Sequence, residues 1–115
     1  MKQKKDSKNY LDKIPAHAAD RPFSVDENGI VEITMENKGF YNTIAQNFFH
    51  RPRYSFISLD EYGSFVWQQI DGKTTIYEIG KKLEETHEGA KEKLYERLSA
   101  YFGILETNKF ITFVE

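Results

Sequence analysis

The sequence contains no cysteine, and this absence excludes disulfide bonds, zinc–thiolate sites and thiol chemistry together. No apolar run approaches the roughly 18 to 20 residues of a membrane span, and no charged start is followed by the apolar stretch of a signal peptide. We therefore expect a protein that does not span a membrane and that is cytoplasmic by default. Its 115 residues suffice for one domain with a single small core.

Residue groupings typical of an active site are lacking as well. His17, His50 and His87 are far apart, without the i,i+4 histidine pair or His-x-x-Glu face of a metal site, and we interpret them as isolated surface histidines. Gly63-Ser64 lacks the Gly-x-Ser-x-Gly frame of a nucleophile elbow. We therefore expect a protein that is not an enzyme and that holds no metal.

The first 22 residues differ in composition from the rest of the chain. Lysines are interleaved there with aspartates, and Pro15 and Pro22 break any helix. We predict a flexible or loosely packed arm over 1–22 and a domain over 23–115. Three residues in the second half of the arm are spaced to cover part of the domain: Tyr10, Leu11 and Ile14.

A period-two alternation of apolar residues follows the arm and is interrupted by Asn28-Gly29, which favours the type I′ turn of a β-hairpin. We predict antiparallel strands over 23–27 and 30–36. A third strand is predicted over 53–58, where the alternation returns, with Ile57 pointing at the helices.

The segment between the second and third predicted strands, 37–52, is long. Phe40, Ile44, Phe48 and Phe49 give it one apolar face at helical spacing, so we predict a helical insertion that buries these side chains. Three roles are open for the insertion: a lid, a dimer contact, or extra covering for the sheet.

Two helices follow the third strand. Apolar residues at three-to-four spacing predict a first helix that begins at Leu59 and ends at Asp71-Gly72, because glycine tolerates the left-handed turn at a helix C-terminus. Thr75 and Glu78 then have the spacing of a capping box, which predicts the start of a second helix.

A third helix is predicted over 90–106, with Leu94, Leu98, Tyr101 or Phe102, and Leu105 facing inward, and a short strand over 110–114 corresponds to a wing. The predicted fold is α+β and resembles a winged helix-turn-helix. In order, it comprises an N-terminal three-stranded antiparallel sheet with the helical insertion between strands two and three, three helices, and a short C-terminal strand.

A winged-helix architecture raises DNA binding as a function. The charges argue against it, because Lys91, Lys93 and Arg97 on the third helix are opposed by four glutamates and the whole chain has a formal net charge of −2. Nucleic acid is therefore a disfavoured partner.

The segment from Ser55 to Val114 also carries a series of residues in a fixed order: Leu59-Asp60, Val66-Trp67, Asp71-Gly72-Lys73 with Thr75, Glu78-Ile79, and a closing Gly/Phe-Ile run near 103 to 111. In this series the chain resembles the PqqD family. Its members are small proteins named for pyrroloquinoline quinone (PQQ) biosynthesis, and they are the founding members of the RiPP (ribosomally made, modified peptide) recognition elements.

The resemblance implies a non-catalytic, chaperone-like module without a cofactor. Such a module captures the leader of a ribosomally made precursor peptide by strand addition and presents it to a radical S-adenosylmethionine enzyme. Carried onto this sequence, the peptide would pair with strand three, which comprises Arg53, Tyr54, Ser55, Phe56, Ile57 and Ser58. The groove wall would be the outer flank of helix three, with Lys91, Tyr95, Ser99 and Phe102.

Alternatives to this interpretation stay open. Tyr95 and Phe102 are equally compatible with ordinary core packing. The chain as a whole is also compatible with a structural or dimerisation module that forms a homodimer through the insertion and binds no peptide. A winged-helix DNA-binding regulator is the less favoured alternative.

Overall fold

The computed structural model describes residues 10–36 and 54–114, and these contain five strands and three α-helices. The strands are β1 (Ile14–His17), β2 (Phe23–Val25), β3 (Val31–Glu36), β4 (Tyr54–Ser58) and β5 (Ile111–Val114). The helices are α1 (Glu61–Gln69), α2 (Ile76–Thr86) and α3 (Leu94–Thr107), with short 3-10 turns at Tyr10–Asp12 and Glu88–Ala90. The predicted α+β class is confirmed: a three-stranded antiparallel sheet, three helices and a C-terminal strand.

Strands β2, β3 and β4 form the predicted antiparallel sheet in that order. The turn between β2 and β3 is not type I′, however, because only Gly29 has a positive φ, of 83°. Its N–H donates to the Asp26 carbonyl at 3.0 Å, and the Asp26 carboxylate accepts from the N–H groups of Asn28 and Ile30. The aspartate side chain therefore closes a longer turn in which glycine alone takes the left-handed conformation.

Helix α1 begins two residues later than predicted, because Asp60 is its N-cap and accepts a hydrogen bond from the Gly63 N–H at 2.7 Å. The predicted turn after it is confirmed by the φ of 76° at Gly72. The capping box of α2 is also confirmed, since Thr75 and Glu78 each accept a hydrogen bond from the other's backbone N–H at 3.1 Å.

Helix α3 begins at Leu94 rather than at Ala90. Ala90 instead ends a 3-10 turn, and Lys93 has a left-handed backbone with a φ of 51°, which redirects the chain before the helix starts. The inward side of α3 is formed by buried residues, as the spacing predicts: Leu94, Leu98, Phe102 and Leu105.

Strand β1 was not predicted. It pairs antiparallel with β5, from Ile14 opposite Val114 to His17 opposite Ile111. On its other side, the carbonyl of Pro15 accepts from the Gly72 N–H at 3.1 Å. Strand β1 thus lies between β5 and the turn that connects α1 to α2, and it is hydrogen-bonded to both.

This pairing changes the interpretation of the two chain ends. Strand β5 belongs to a separate two-stranded sheet with β1, and the winged-helix resemblance is not confirmed. Tyr10 and Leu11 pack against the core, as their spacing predicted. The division of the chain at residue 22 stays a prediction, while β1 places part of the predicted arm inside a sheet.

The core lies between the three-stranded sheet and the helices, and Ser64 is its buried polar residue. The Ser64 hydroxyl accepts from the Val31 N–H at 2.8 Å and donates to the Leu59 carbonyl at 3.3 Å. One side chain of α1 therefore fixes the helix against β3 and against the end of β4.

The predicted insertion with its four apolar residues and residues 1–9 of the arm lie outside the described residues, and these predictions stay predictions. No helix in the described residues is long and apolar enough to cross a membrane.

His17 is not an isolated surface histidine. It is half-buried, its ring stacks on Trp67 with 4.3 Å between centroids, and its Nε2 lies 2.9 Å from the Trp67 carbonyl. His87 also packs, against the rings of Tyr62 and Phe65. The surface interpretation is therefore wrong for both, and His50 lies outside the described residues.

We expect Ser64→Ala to lower the free energy of unfolding by about 1 to 3 kcal/mol, because the buried Val31 N–H loses its acceptor. Urea denaturation measures this value. Ser24→Ala, which removes the hydroxyl of an exposed serine in β2, is the matched control and should change stability by less than about 0.5 kcal/mol. Equal effects of the two substitutions would contradict the role assigned to Ser64.

His17 predicts a pH dependence of stability. Burial lowers the pKa of His17 below its ordinary value of 6.5, and the hydrogen bond to the Trp67 carbonyl opposes this only in part. The unfolded chain therefore binds a proton at His17 more readily than the folded chain does. The stability that His17 contributes is complete above pH 6.5 and is lost as the pH falls through the folded-state pKa.

Urea denaturation between pH 5 and 8, followed by Trp67 fluorescence, is the measurement for this prediction. His17→Gln retains a side-chain donor but cannot titrate, so the loss of stability at low pH should be smaller in this variant than in the wild type. Parallel pH profiles for the two proteins would show that His17 does not contribute.

Candidate functional site

Strand β4 is one of the two outer strands of the three-stranded sheet among the described strands, the other being β2. Its register against β3 places Ser58 opposite Glu32 and Tyr54 opposite Glu36. An outermost strand presents one row of backbone N–H and C=O groups away from its neighbour, and a further strand can pair with that row. The edge of β4 is therefore the first candidate site.

The register decides which residues of β4 direct their backbone groups outward. The Thr34 N–H donates to Pro22 on the β2 side at 2.9 Å, whereas the Leu59 N–H donates to the Val31 carbonyl on the β4 side at 2.9 Å. Even-numbered residues of β3 therefore face β2 and odd-numbered ones face β4. Successive residues of β4 alternate in the same way across the register with β3. The backbone groups of Ser55 and Ile57 therefore point towards β3. Those of Tyr54, Phe56 and Ser58 point away from it.

The side chains of β4 alternate as well. Phe56 is 63% exposed and Tyr54 is 46% exposed, whereas Ile57 packs against the core, as predicted. The edge thus combines outward backbone groups with two large exposed rings on the solvent face of the sheet. Arg53, the first residue of the predicted binding strand, lies outside the described residues.

The predicted groove wall on α3 does not share one surface. Phe102 is 0% exposed, so the core-packing alternative holds for this residue. Tyr95 faces α2, where its ring stacks on Tyr77 with 5.5 Å between centroids, and a Cβ on Gly80 would lie only 2.6 Å from it. Its burial, with Tyr77 and Glu84 close by, raises the pKa of Tyr95.

The other two residues of the predicted wall lie nearer the surface. Ser99 is half-buried on α3, and Lys91 is exposed ahead of the helix. Their peptide-binding roles stay predictions, as do those of Tyr95 and of β4.

The opposite flank of α3 faces the connection from β4 to α1. The Tyr101 hydroxyl donates to the Gly63 carbonyl at 2.8 Å, and burial together with the nearby charge of Asp60 raises the pKa of Tyr101. Ile104, one turn further along, is 60% exposed. The spacing in the sequence leaves Tyr101 and Phe102 as alternatives for the inward position of the helix. It therefore does not assign Tyr101 to this flank.

A cavity of about 150 Å³ opens beside Tyr101, between α1, α2 and α3. Asp60, Tyr62 and Arg97 are among the residues that line it and carry polar groups. The apolar residues that line it come from all three helices and the 3-10 turn: Val66, Leu83, Ala90, Leu94 and Leu98. Since Asp60 follows β4 by two residues, the cavity lies near the C-terminal end of that strand.

No cluster of three or more side chains suited to hold a metal ion occurs in the described residues. The groups brought together are a row of backbone donors and acceptors, exposed rings and an apolar cavity. The fold and these features define a small α+β domain whose candidate site suits an extended polypeptide, the ligand that pairs with sheet edges.

The comparison with family models specifies this class further. The model of the family described as Coenzyme PQQ synthesis protein D (PqqD) matches residues 49–111, more than half of the chain. The chain therefore belongs to the PqqD family, as the sequence resemblance indicated. The match includes β4 and all three helices. No curated protein and no solved structure matches the chain significantly.

Family membership bears on activity and partners. Proteins of the PqqD family are non-catalytic accessory proteins in PQQ synthesis, and membership is consistent with a protein that is not an enzyme. It implies partners among the PQQ synthesis proteins and is consistent with a peptide-binding role in that pathway.

Proposed function

We propose that this protein, in the cytoplasm, captures the leader of a ribosomally made precursor peptide by strand addition at β4 and presents it to a radical S-adenosylmethionine enzyme. The observation that carries the proposal is the outward direction of the backbone groups of Tyr54, Phe56 and Ser58 at the edge of the sheet. Membership of the PqqD family supports it.

Strand addition at this edge uses main-chain groups for affinity and side chains for selection. A peptide residue opposite Phe56 places its side chain on the solvent face, beside the exposed phenyl ring. The residues before and after it place their side chains on the opposite face, towards the helices. A peptide with alternating contact residues is therefore the natural ligand.

The wall that selects the inward side chains is, in this proposal, the flank of α3 with Arg97, Tyr101 and Ile104. Tyr101 is tied to Gly63, close to where β4 ends, whereas Tyr95 of the predicted wall stacks against α2. Ile104 adds exposed apolar surface on the same flank. The proposal therefore keeps the predicted strand and replaces the predicted wall.

The expected affinity is micromolar. Two or three apolar anchors contribute about 1.5 to 3 kcal/mol each and a few backbone hydrogen bonds about 1 kcal/mol each. Association and ordering of the peptide cost several kcal/mol, so the upper end of these contributions leaves about −8 kcal/mol, a dissociation constant near 1 μM. A complex of this strength forms readily and releases the peptide to an enzyme.

A second candidate is a homodimer formed through the same edge. The exposure of Tyr54 and Phe56 favours it, because two copies of β4 paired antiparallel would place the rings of one chain beside those of the other. This candidate predicts a mass that rises with protein concentration and no binding of peptide.

Phe56→Pro tests strand addition at β4, because it removes an outward N–H and leaves the β3–β4 hydrogen bonds in place. The probe is the leader of a short precursor peptide encoded beside this chain, or, without such a gene, dodecapeptides selected from a phage-displayed library. We expect Phe56→Pro to weaken binding at least about a hundredfold, measured by isothermal titration calorimetry.

Phe56→Ala is the matched control, because it removes the ring and keeps the N–H. It should weaken binding by about tenfold at most. Circular dichroism and Trp67 fluorescence verify the fold of each variant. Unchanged affinity in a folded Phe56→Pro protein, or the absence of any peptide ligand for the wild type, would refute strand addition at β4.

A further inference from the structure

We infer that the cavity between α1, α2 and α3 receives an aliphatic side chain of the bound peptide, from a residue one or two positions N-terminal to the stretch that pairs with β4. This inference rests on the proposed function and adds to it the position and the chemistry of one anchor residue of the peptide.

The lining of the cavity determines that chemistry. Side chains from all three helices, among them Val66, Leu83 and Leu98, present apolar surface that no other described side chain fills. Apolar surface left beside a void loses both burial and dispersion contacts, so a ligand group that fills the space gains both. A charged ligand side chain would instead lose its hydration on this surface.

The size of the cavity limits the occupant. A volume of about 150 Å³ corresponds to apolar cavities that accept a ring of the size of benzene. The side chains of leucine, isoleucine and valine fit that space. Two small residues keep it open: Ala90 on the wall and Gly63, where a Cβ would lie 3.3 Å from the Tyr101 ring.

The position of the cavity determines which part of the peptide reaches it. Asp60 lines the cavity and lies two residues beyond Ser58, the last residue of β4. A strand that adds antiparallel to β4 runs the opposite way, so its N-terminal side passes this end. At about 3.3 Å per residue, one or two residues upstream of the paired stretch reach the level of Asp60.

Continuity with the proposed edge is supported by the hydrogen bond from Tyr101 to Gly63, which joins the α3 flank to the first turn of α1 at the same end of β4. Asp60 and Arg97 carry opposite charges beside the opening, so neither acidic nor basic ligand side chains are favoured overall. The apolar lining is therefore the selective feature.

The cavity can be tested with a probe that has no strand to add. N-acetyl-leucine N-methylamide presents one aliphatic side chain, and N-acetyl-alanine N-methylamide is its matched control. In ¹H–¹⁵N correlation spectra of the full chain, we expect the leucine compound to shift the amides of Val66, Leu94 and Leu98 saturably. The alanine compound should leave them unchanged at the same concentrations.

Two substitutions reduce the cavity from different walls, Ala90→Val on the 3-10 turn and Val66→Ile on α1. Each should weaken the leucine probe by about tenfold. Gly103→Ala is the control, because a Cβ at this position of α3 meets nothing within 4 Å. It should bind the probe as the wild type does. If Ala90→Val fails to fold, Val66→Ile still decides the question.

The outcomes distinguish the cavity from the strand edge. Phe56→Pro should abolish peptide binding and leave the leucine probe unaffected, because the probe does not use β4. Peptide ligands of the wild type should lose about tenfold in affinity in Ala90→Val or Val66→Ile while staying sensitive to Phe56→Pro. The cavity inference fails alone if peptides respond to Phe56→Pro but neither peptide nor probe responds to the cavity substitutions.

Discussion

The structure depends on the hydroxyl of Ser64, which joins three elements inside the core. It accepts from Val31 in β3 and donates to Leu59 between β4 and α1. A buried hydroxyl with both partners satisfied specifies one arrangement of the groups it touches, because each alternative leaves a polar group unpaired in the core. Ser64 thereby fixes where the sheet ends and the helices begin. The outward groups of β4, the cap at Asp60 and the cavity are all placed relative to that junction.

The residues that carry the family resemblance stabilise the fold, and few of them lie at the proposed site. Asp60 caps α1, Trp67 is fully buried, and Thr75 forms the capping box with Glu78. Asp71 accepts from two backbone N–H groups of the following turn, which lowers the pKa of its carboxyl. The residues of the family series therefore form helix caps, turns and part of the core. In the proposed function, recognition uses the backbone groups of β4, which any residue except proline supplies, and the flank of α3.

The two flanks of α3 have different roles: one packs on α2, and the other is the proposed peptide-binding wall. Tyr95 lies over Gly80 of α2 and stacks on Tyr77, so this flank packs α3 on α2. Tyr101 faces the other way, towards Gly63 and the end of β4. Both are tyrosines with a raised pKa, and in both burial is the main cause. The element each one contacts, rather than its chemical type, therefore distinguishes the proposed wall from the packing face.

The sequence by itself determined the local features: the hairpin glycine, the turn at Gly72, the capping box, the alternation of β4 and the α+β order of elements. Each depends on residues close together in the chain, so composition and spacing are sufficient to predict it. The tertiary structure alone decided the long-range features. Pairing of β1 with β5 joins segments nearly the whole chain apart, and a strand containing proline gives no local signal of its partner. The packing of His17 on Trp67 has the same long range. The contacts of Tyr95 with α2 and of Tyr101 with α1 also come from the tertiary structure, because periodicity gives the buried face of a helix but not the element that covers it.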